Sequence, residues 1–149
     1  MFPKLTPNFS KREFVRSDTA ERLGISNEPE TWDHLANIRT LALGMEQVRS
    51  ICGNVPVTIT SGYRSPRVNA AVGGVETSHH ALGLAADFTV KGYEARDVAL
   101  MLAASHLVFD QLILEPSRGI VHISFYPSLR GEILTQPDGP GTPVFEGVL

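Results

Sequence analysis

His80 and Asp87 place an imidazole and a carboxylate seven positions apart in Ser78-His79-His80-Ala81-Leu82-Gly83-Leu84-Ala85-Ala86-Asp87, and the strand-like Phe88-Thr89-Val90 follows them. Both are zinc-ligand types. Imidazole nitrogens and carboxylate oxygens bind zinc at roughly 2.0 to 2.2 Å, and a catalytic mononuclear site needs one further protein ligand and an open position for water. His122, in Ile120-Val121-His122-Ile123-Ser124-Phe125, is the best candidate for that third ligand. Hydrolysing an amide at neutral pH requires a nucleophile stronger than free water, and zinc provides one by lowering the pKa of the water it holds to roughly 7. Two neutral ligands and one anionic ligand leave such a metal with net positive charge. Spacing alone does not single out this chemistry, because a histidine and an aspartate seven residues apart also occur by chance in many soluble proteins.

Strand alternation is what has to position these groups. Residues 84–90 read as a strand with Leu84, Ala86, Phe88 and Val90 on one face and Ala85, Asp87 and Thr89 on the other. Ala85 keeps the side that Asp87 faces clear. Residues 109–115 and 120–125 read as two further strands joined by the turn Pro116-Ser117-Arg118-Gly119, and in the second of them His122 and Ser124 share a face. Two adjacent antiparallel strands then bring Asp87 and His122 to one side of a sheet, with Glu115 near the edge of the same cleft. His79 is the obvious rival to His80, but on an extended backbone neighbouring side chains point to opposite sides, so one of the two reaches the metal.

The flanking elements form a scaffold. Residues 57–60 are a strand by β-branching, and in Ser61-Gly62-Tyr63-Arg64-Ser65-Pro66 the chain turns so that Ser65 caps and Pro66 opens a short helix ending at Gly73-Gly74. The longest helix runs from 31 to about 52, where Leu35, Ile38, Ala42, Met45, Val48 and Ile51 recur at steps of three or four before Gly53. Residues 93–105 form a second good helix, followed by His106 as a C-terminal cap, and His34 is read as a solvated or capping histidine. Near the N-terminus, Ser10 and Glu13 make a capping box with Phe9 stapled onto Phe14, and residues 17–24 give a further turn of helix stopped by glycine. Residues 130–135 add an edge strand.

A chain of 149 residues, 42% hydrophobic, supports one core and is too short for two ordinary domains. The expected division is a single domain over 1–135 and a Pro/Gly-rich segment over 136–149, either a mobile tail or a docking segment. Thirteen basic residues against sixteen acidic ones, a formal charge of -3, give no basic field to attract nucleic acid. No apolar run approaches the roughly 20 residues of a membrane span or the length of a signal peptide, so neither nucleic acid nor membrane is an expected partner. The single cysteine, Cys52, excludes an internal disulfide and a cysteine-rich zinc site, and it reads as a small core residue. Ser61, Ser78 and Ser124 are the serines open to a Ser/His/Asp triad, but none lies in a Gly-x-Ser-x-Gly elbow.

The motif Ser78-x-His80-x-x-Gly83-x-Ala85-x-Asp87, preceded by Ser61-Gly62-Tyr63-Arg64-Ser65 and followed by Glu115 and Val121-His122-Ile123-Ser124, resembles a known family. It is similar to the zinc D-Ala-D-Ala carboxypeptidases and endopeptidases of peptidase family M15, peptidoglycan hydrolases that include phage lysins and vancomycin-resistance dipeptidases. The resemblance runs from about Leu5 to about Arg130 and is closest to the small phage and prophage members. It implies an α+β fold, a small antiparallel sheet with helices packed on one side, as in hedgehog and DD-peptidase domains. It further implies one Zn2+ per chain on His80, Asp87 and His122, with the motif selecting His80 over His79. Glu115 becomes the general base, Arg64 the group that grips a substrate carboxylate or oxyanion, Tyr63 a cleft-lining residue and Ser78 a hydrogen-bonding support.

The reaction implied is zinc-dependent hydrolysis of a peptide bond in the stem or cross-link peptides of peptidoglycan, as a D,D-carboxypeptidase or an L,D/D,D-endopeptidase. Such a protein would be made in the bacterial cytoplasm without a signal peptide and act at the cell wall in phage lysis or as a virion component, with residues 136–149 available to virion or tail proteins. Because the zinc-bearing domain of hedgehog signalling proteins resembles this fold, the alternative is a module that keeps the metal without the reaction. The chain departs from the family pattern at the base. Some members place the acidic residue three positions before the last histidine, where Gly119 stands here, and the tryptophan common near that histidine is replaced by Ile120-Val121. Glu115 therefore depends on the Pro116 to Gly119 turn to return it to the cleft, its other reading being a surface pair with Arg118.

Overall fold

Local sequence chemistry sets the first helices in the computed structural model, which describes residues 4–149. β1 (Lys4–Thr6) pairs with β2 (Phe9–Ser10), and α1 (Lys11–Val15) starts where the Ser10 backbone N–H donates to the Glu13 carboxylate at 2.7 Å. The Phe9 and Phe14 rings pack 5.7 Å apart, the expected staple across that start. α2 (Asp18–Leu23) is capped by the Ser17 hydroxyl and stopped by Gly24, which adopts a left-handed φ of 65°. α3 (Trp32–Ile51) begins where the Thr31 hydroxyl accepts from the His34 N–H at 3.1 Å, a cap of a kind worth about 1 kcal/mol. Its buried stripe, Ile38, Leu41, Ala42, Met45 and Val48, forms the centre of the core, and Cys52 is buried at its end as a small hydrophobe.

The strands are β3 (Val57–Ser61), β4 (Ala85–Val90), β5 (Gln111–Glu115), β6 (Ile120–Ser124), β7 (Glu132–Thr135) and β8 (Phe145–Glu146), in the order β3-β4-β6-β5-β7-β8. The class is α+β. The four strands that carry the site pair antiparallel, whereas β5 and β7 run parallel, which makes the whole sheet mixed. β7 was expected as an edge strand, but the Pro/Gly-rich segment turns back and covers it. β8 pairs with β7, the Gly147 N–H donates to the Ile133 carbonyl at 2.8 Å, and the Thr135 hydroxyl donates to the Gly147 carbonyl at 2.7 Å. The end of the segment is thus paired with the chain's own sheet.

Pleating gives the sheet two different faces. Ala86, Phe88, Leu112, Leu114, Val121 and Ile123 join the core, packed against α3 and against α6 (Ala95–Ala103) with its buried Val98, Ala99 and Leu102. Helix α3 comes close to the end of this layer: a Cβ on Gly44 would lie 2.5 Å from Cε2 of Phe125, so glycine is what lets the helix approach the ring. Residues of the opposite pleat, Asp87, His122 and Glu115 among them, line a cavity of about 740 Å³ bordered by α4 (Pro66–Ala71) and α5 (His79–Leu82).

Candidate active site

His80 is set by three backbone constraints. The backbone at His79 and His80 was expected to be extended, but residues 79–82 form the single-turn α5: the Ser78 hydroxyl accepts from the His80 N–H at 3.2 Å, and Gly83, with φ 81°, closes the turn. Successive residues of a helix project about 100° apart, so His80 and His79 still diverge, for a different reason than strand alternation. The His80 ring is buried and its Nδ1 lies 2.8 Å from the Gly62 carbonyl. A carbonyl only accepts, so Nδ1 carries the proton and Nε2 keeps its lone pair for the cavity. Gly62 is needed where it stands, because a Cβ there would fall 2.5 Å from the Phe14 carbonyl oxygen. The Ser61-Gly62-Tyr63-Arg64 segment is thus clamped to α1 on one side and to His80 on the other, where the Arg64 N–H donates to the His80 carbonyl at 3.0 Å.

Strand register delivers the other two groups. Asp87 on β4 is directly opposite His122 on β6, and His122 is in turn opposite Ile113 on β5. One Asp87 oxygen, Oδ1, lies 2.9 Å from His122 Nδ1 and 3.3 Å from His80 Nε2. The two imidazoles meet edge-on with centroids 5.0 Å apart. Each of the three residues offers one ligand atom, and these atoms lie within 4.8 Å of one another. Burial lowers the His80 pKa, partly offset by Asp87, so the ring is neutral and can donate its lone pair. Burial alone would raise the Asp87 carboxyl, but the two histidines beside it outweigh that and hold it well below the usual carboxylate range. The arrangement suits a divalent cation: one anionic and two neutral donors, converging inside a cavity.

Asp87 divides its two oxygens between two kinds of partner. While Oδ1 faces the histidines, Oδ2 faces two guanidinium groups, with Arg64 Nη2 at 3.9 Å and Arg118 Nη2 at 3.5 Å. Arg64 is largely buried, and burial pulls its pKa down against the pull of Asp87. Its guanidinium makes no direct hydrogen bond among the described residues, so its donors remain open to a ligand in the cavity. Glu115 pairs with Arg118, Nη1 to Oε1 at 2.9 Å, which is the pairing expected of a surface residue. Glu115 is nonetheless only 5% exposed and lines the same cavity as His80, Asp87 and His122. The turn Pro116–Arg118, closed by Gly119 at a φ of 65°, returns the chain so that Glu115 pairs with Ile120.

Other residues sort themselves by contact. Tyr63, expected to line the cleft as a substrate contact, borders the cavity but is only 1% exposed; its hydroxyl lies 3.4 Å from His34 Nδ1, and it packs in the core. His34 sits in the first turn of α3 beside it, away from the metal-type cluster. His79 lines the cavity, stacked on Tyr126 at 4.6 Å and 3.8 Å from Asp110, itself held by a two-pronged Arg130 contact. The residue that the sequence did not mark as functional is Arg118, considered only as a surface partner of Glu115. Its signal was positional: it occupies the short turn between the strands that carry Glu115 and His122. The family model described as Peptidase M15 matches residues 7–124. None of the curated proteins matches the chain.

Proposed function

The chain belongs to the peptidase M15 family, and from that premise we propose that it is a zinc-dependent peptidase that hydrolyses a peptide bond in the stem or cross-link peptides of peptidoglycan. The observation that carries this reading is the convergence of His80, Asp87 and His122 in one cavity with Glu115 and Arg64. The donor set fits zinc. Ligand atoms of a tetrahedral site with bonds of roughly 2.0 to 2.1 Å stand about 3.3 Å apart; His80 Nε2 lies 3.3 Å and His122 Nδ1 2.9 Å from Asp87 Oδ1. Two imidazole nitrogens and one carboxylate also form a known type of catalytic zinc triad, here binding one Zn2+ per chain. When bound, the ion supplies Lewis-acid polarisation and a water acidic enough to attack at neutral pH.

The protein's own groups take the remaining roles. The Gly62 carbonyl fixes the His80 tautomer, and Ser78 fixes its backbone. Glu115 takes a proton from the attacking water and delivers it to the leaving amine. Arg64 presents a planar fork to a substrate carboxylate or to the oxyanion that develops. A substrate in the cell wall places the site of action there, for a protein made in the bacterial cytoplasm.

Digesting purified sacculi with the zinc-loaded protein and identifying products by mass spectrometry tests the reading. Release of free D-alanine marks a carboxypeptidase and release of cross-bridge or stem fragments an endopeptidase; intact sacculi with zinc bound would leave a non-catalytic module. Arg64→Lys is expected to lower kcat/KM by ten-fold or more, about 1.4 kcal/mol, because an ammonium keeps the charge and loses the fork. Near-normal kinetics in that variant would make Arg64 a brace for the turn.

A further inference from the structure

Glu115 presents an asymmetry that its pairing explains. Among the described residues its only hydrogen-bond donor is Arg118, on Oε1, although the side chain is almost enclosed. Oε2 has no protein partner and is not among the sealed unpaired atoms. One oxygen is therefore tied and the other is left to the cavity, which suits a carboxylate that must receive a proton from a molecule bound there.

The group that ties it also touches the metal-type cluster. Arg118 Nη1 meets Glu115, and Nη2 of the same guanidinium lies 3.5 Å from Asp87 Oδ2. A guanidinium is rigid and planar, so a Glu115 oxygen hydrogen-bonded to one prong and an Asp87 oxygen ion-paired with the other are set relative to each other. The backbone beneath is equally constrained: Arg118 ends a three-residue turn whose flanks are locked by the Glu115↔Ile120 and Ile113↔His122 pairings. Arg118 also offsets the repulsion between two carboxylates in one cavity, both of which are buried. Its side chain is 37% exposed, while the Asp87 and Glu115 side chains that its two prongs face are 2% and 7% exposed.

We propose that Arg118 is a positioning residue: it fixes the Glu115 carboxylate at a set distance and angle from Asp87, with Oε2 turned to the reacting water. The proposal rests on the catalytic reading above and assigns to the turn between β5 and β6 a function beyond connection. A carboxylate freed from this tie keeps its chemistry and loses its aim, which is a loss in kcat rather than in substrate binding.

The test compares Arg118→Ala and Arg118→Lys with the wild-type zinc-loaded protein on a cross-linked stem peptide. Arg118→Ala is expected to keep one equivalent of zinc, lose roughly ten- to hundred-fold in kcat with KM changed by less than about three-fold, and recover part of that loss in millimolar methylguanidinium. Arg118→Lys should recover little, since one point charge cannot hold two acceptors. A readout without zinc or substrate accompanies these. Denaturant midpoints of the Arg118→Ala, Glu115→Ala and doubly substituted metal-free proteins should be non-additive, the double no less stable than the worse single, because each of these substitutions removes the pair outright. An unchanged kcat, a loss confined to KM, or additive midpoints would overturn the proposal. If Arg118→Ala does not fold, the same comparisons made with Arg118→Met, which keeps the stem and loses both prongs, including its midpoint cycle with Glu115→Ala, decide in the same way. A wild-type protein that binds zinc and cuts nothing refutes the catalytic reading, while the midpoint cycle still decides whether Arg118 and Glu115 act as one unit.

Discussion

His122→Ala, loaded with zinc and dialysed, is expected to retain well under one equivalent of the metal where the wild-type protein retains one, and to cut stem peptide about three orders of magnitude more slowly. Three protein ligands are the minimum for a catalytic zinc site, and removing one leaves two, His80 and Asp87, whose facing atoms are 3.3 Å apart. The metal contributes several kcal/mol of transition-state charge stabilisation, and ~4 kcal/mol corresponds to that loss. His122 is the better residue to remove because it is half-buried on a strand, whereas His80 is buried and braced by Gly62, so its loss would also unsettle α5. Zinc should raise the thermal midpoint of the wild type and leave that of His122→Ala unmoved, since a ligand stabilises only the state that binds it. Asp87→Asn should weaken zinc without abolishing the fold. Full zinc retention after dialysis in both variants would show that these residues are not the ligands.

How far the site was legible in the sequence depends on which interactions are local. Asp87 and His122 could be put on one face because β alternation has a period of two and the two strands pair in register, Asp87 opposite His122. The same reasoning misread the backbone at His79 and His80, where a serine cap and a left-handed glycine make one helical turn too short to show a periodic pattern. The β5/β7 parallel pairing was illegible for a different reason. Strand order is decided by which edges are free after the hairpins close, and residues 125–131 carry no signal of their destination. β8 is two residues long inside a Pro/Gly-rich segment, so composition described its flexibility as a chain and not its docking by Gly147 and Thr135. The motif around Arg64 was visible as a string, but its physical reason was not. Gly62 is required by the approach of the Phe14 backbone and by the acceptor it offers to His80, and both are long-range contacts.

Glu115→Gln is expected to bind one equivalent of zinc, fold as the wild type does, and lose at least a hundred-fold in kcat, about 2.7 kcal/mol. The substitution is chosen for what it preserves. A glutamine carbonyl still accepts from Arg118 Nη1 where Glu115 Oε1 now does, at 2.9 Å, and the volume in this nearly closed pocket is unchanged. What disappears is the basic oxygen, since an amide nitrogen cannot take a proton from water. The variant thus separates a carboxylate that reacts from one that only neutralises Arg118. In the second case Glu115→Gln would weaken the ion pair, shift the unfolding midpoint, and leave cleavage near normal. It also separates an enzyme from a binding module: a chain that only holds stem peptide would bind it equally well with glutamate or glutamine and cut it with neither. Turnover, peptide affinity and the unfolding midpoint measured for both proteins therefore assign Glu115 a single role: a reacting carboxylate lowers turnover alone, a neutralising one moves the midpoint alone, and a binding module holds peptide in both forms and turns over neither.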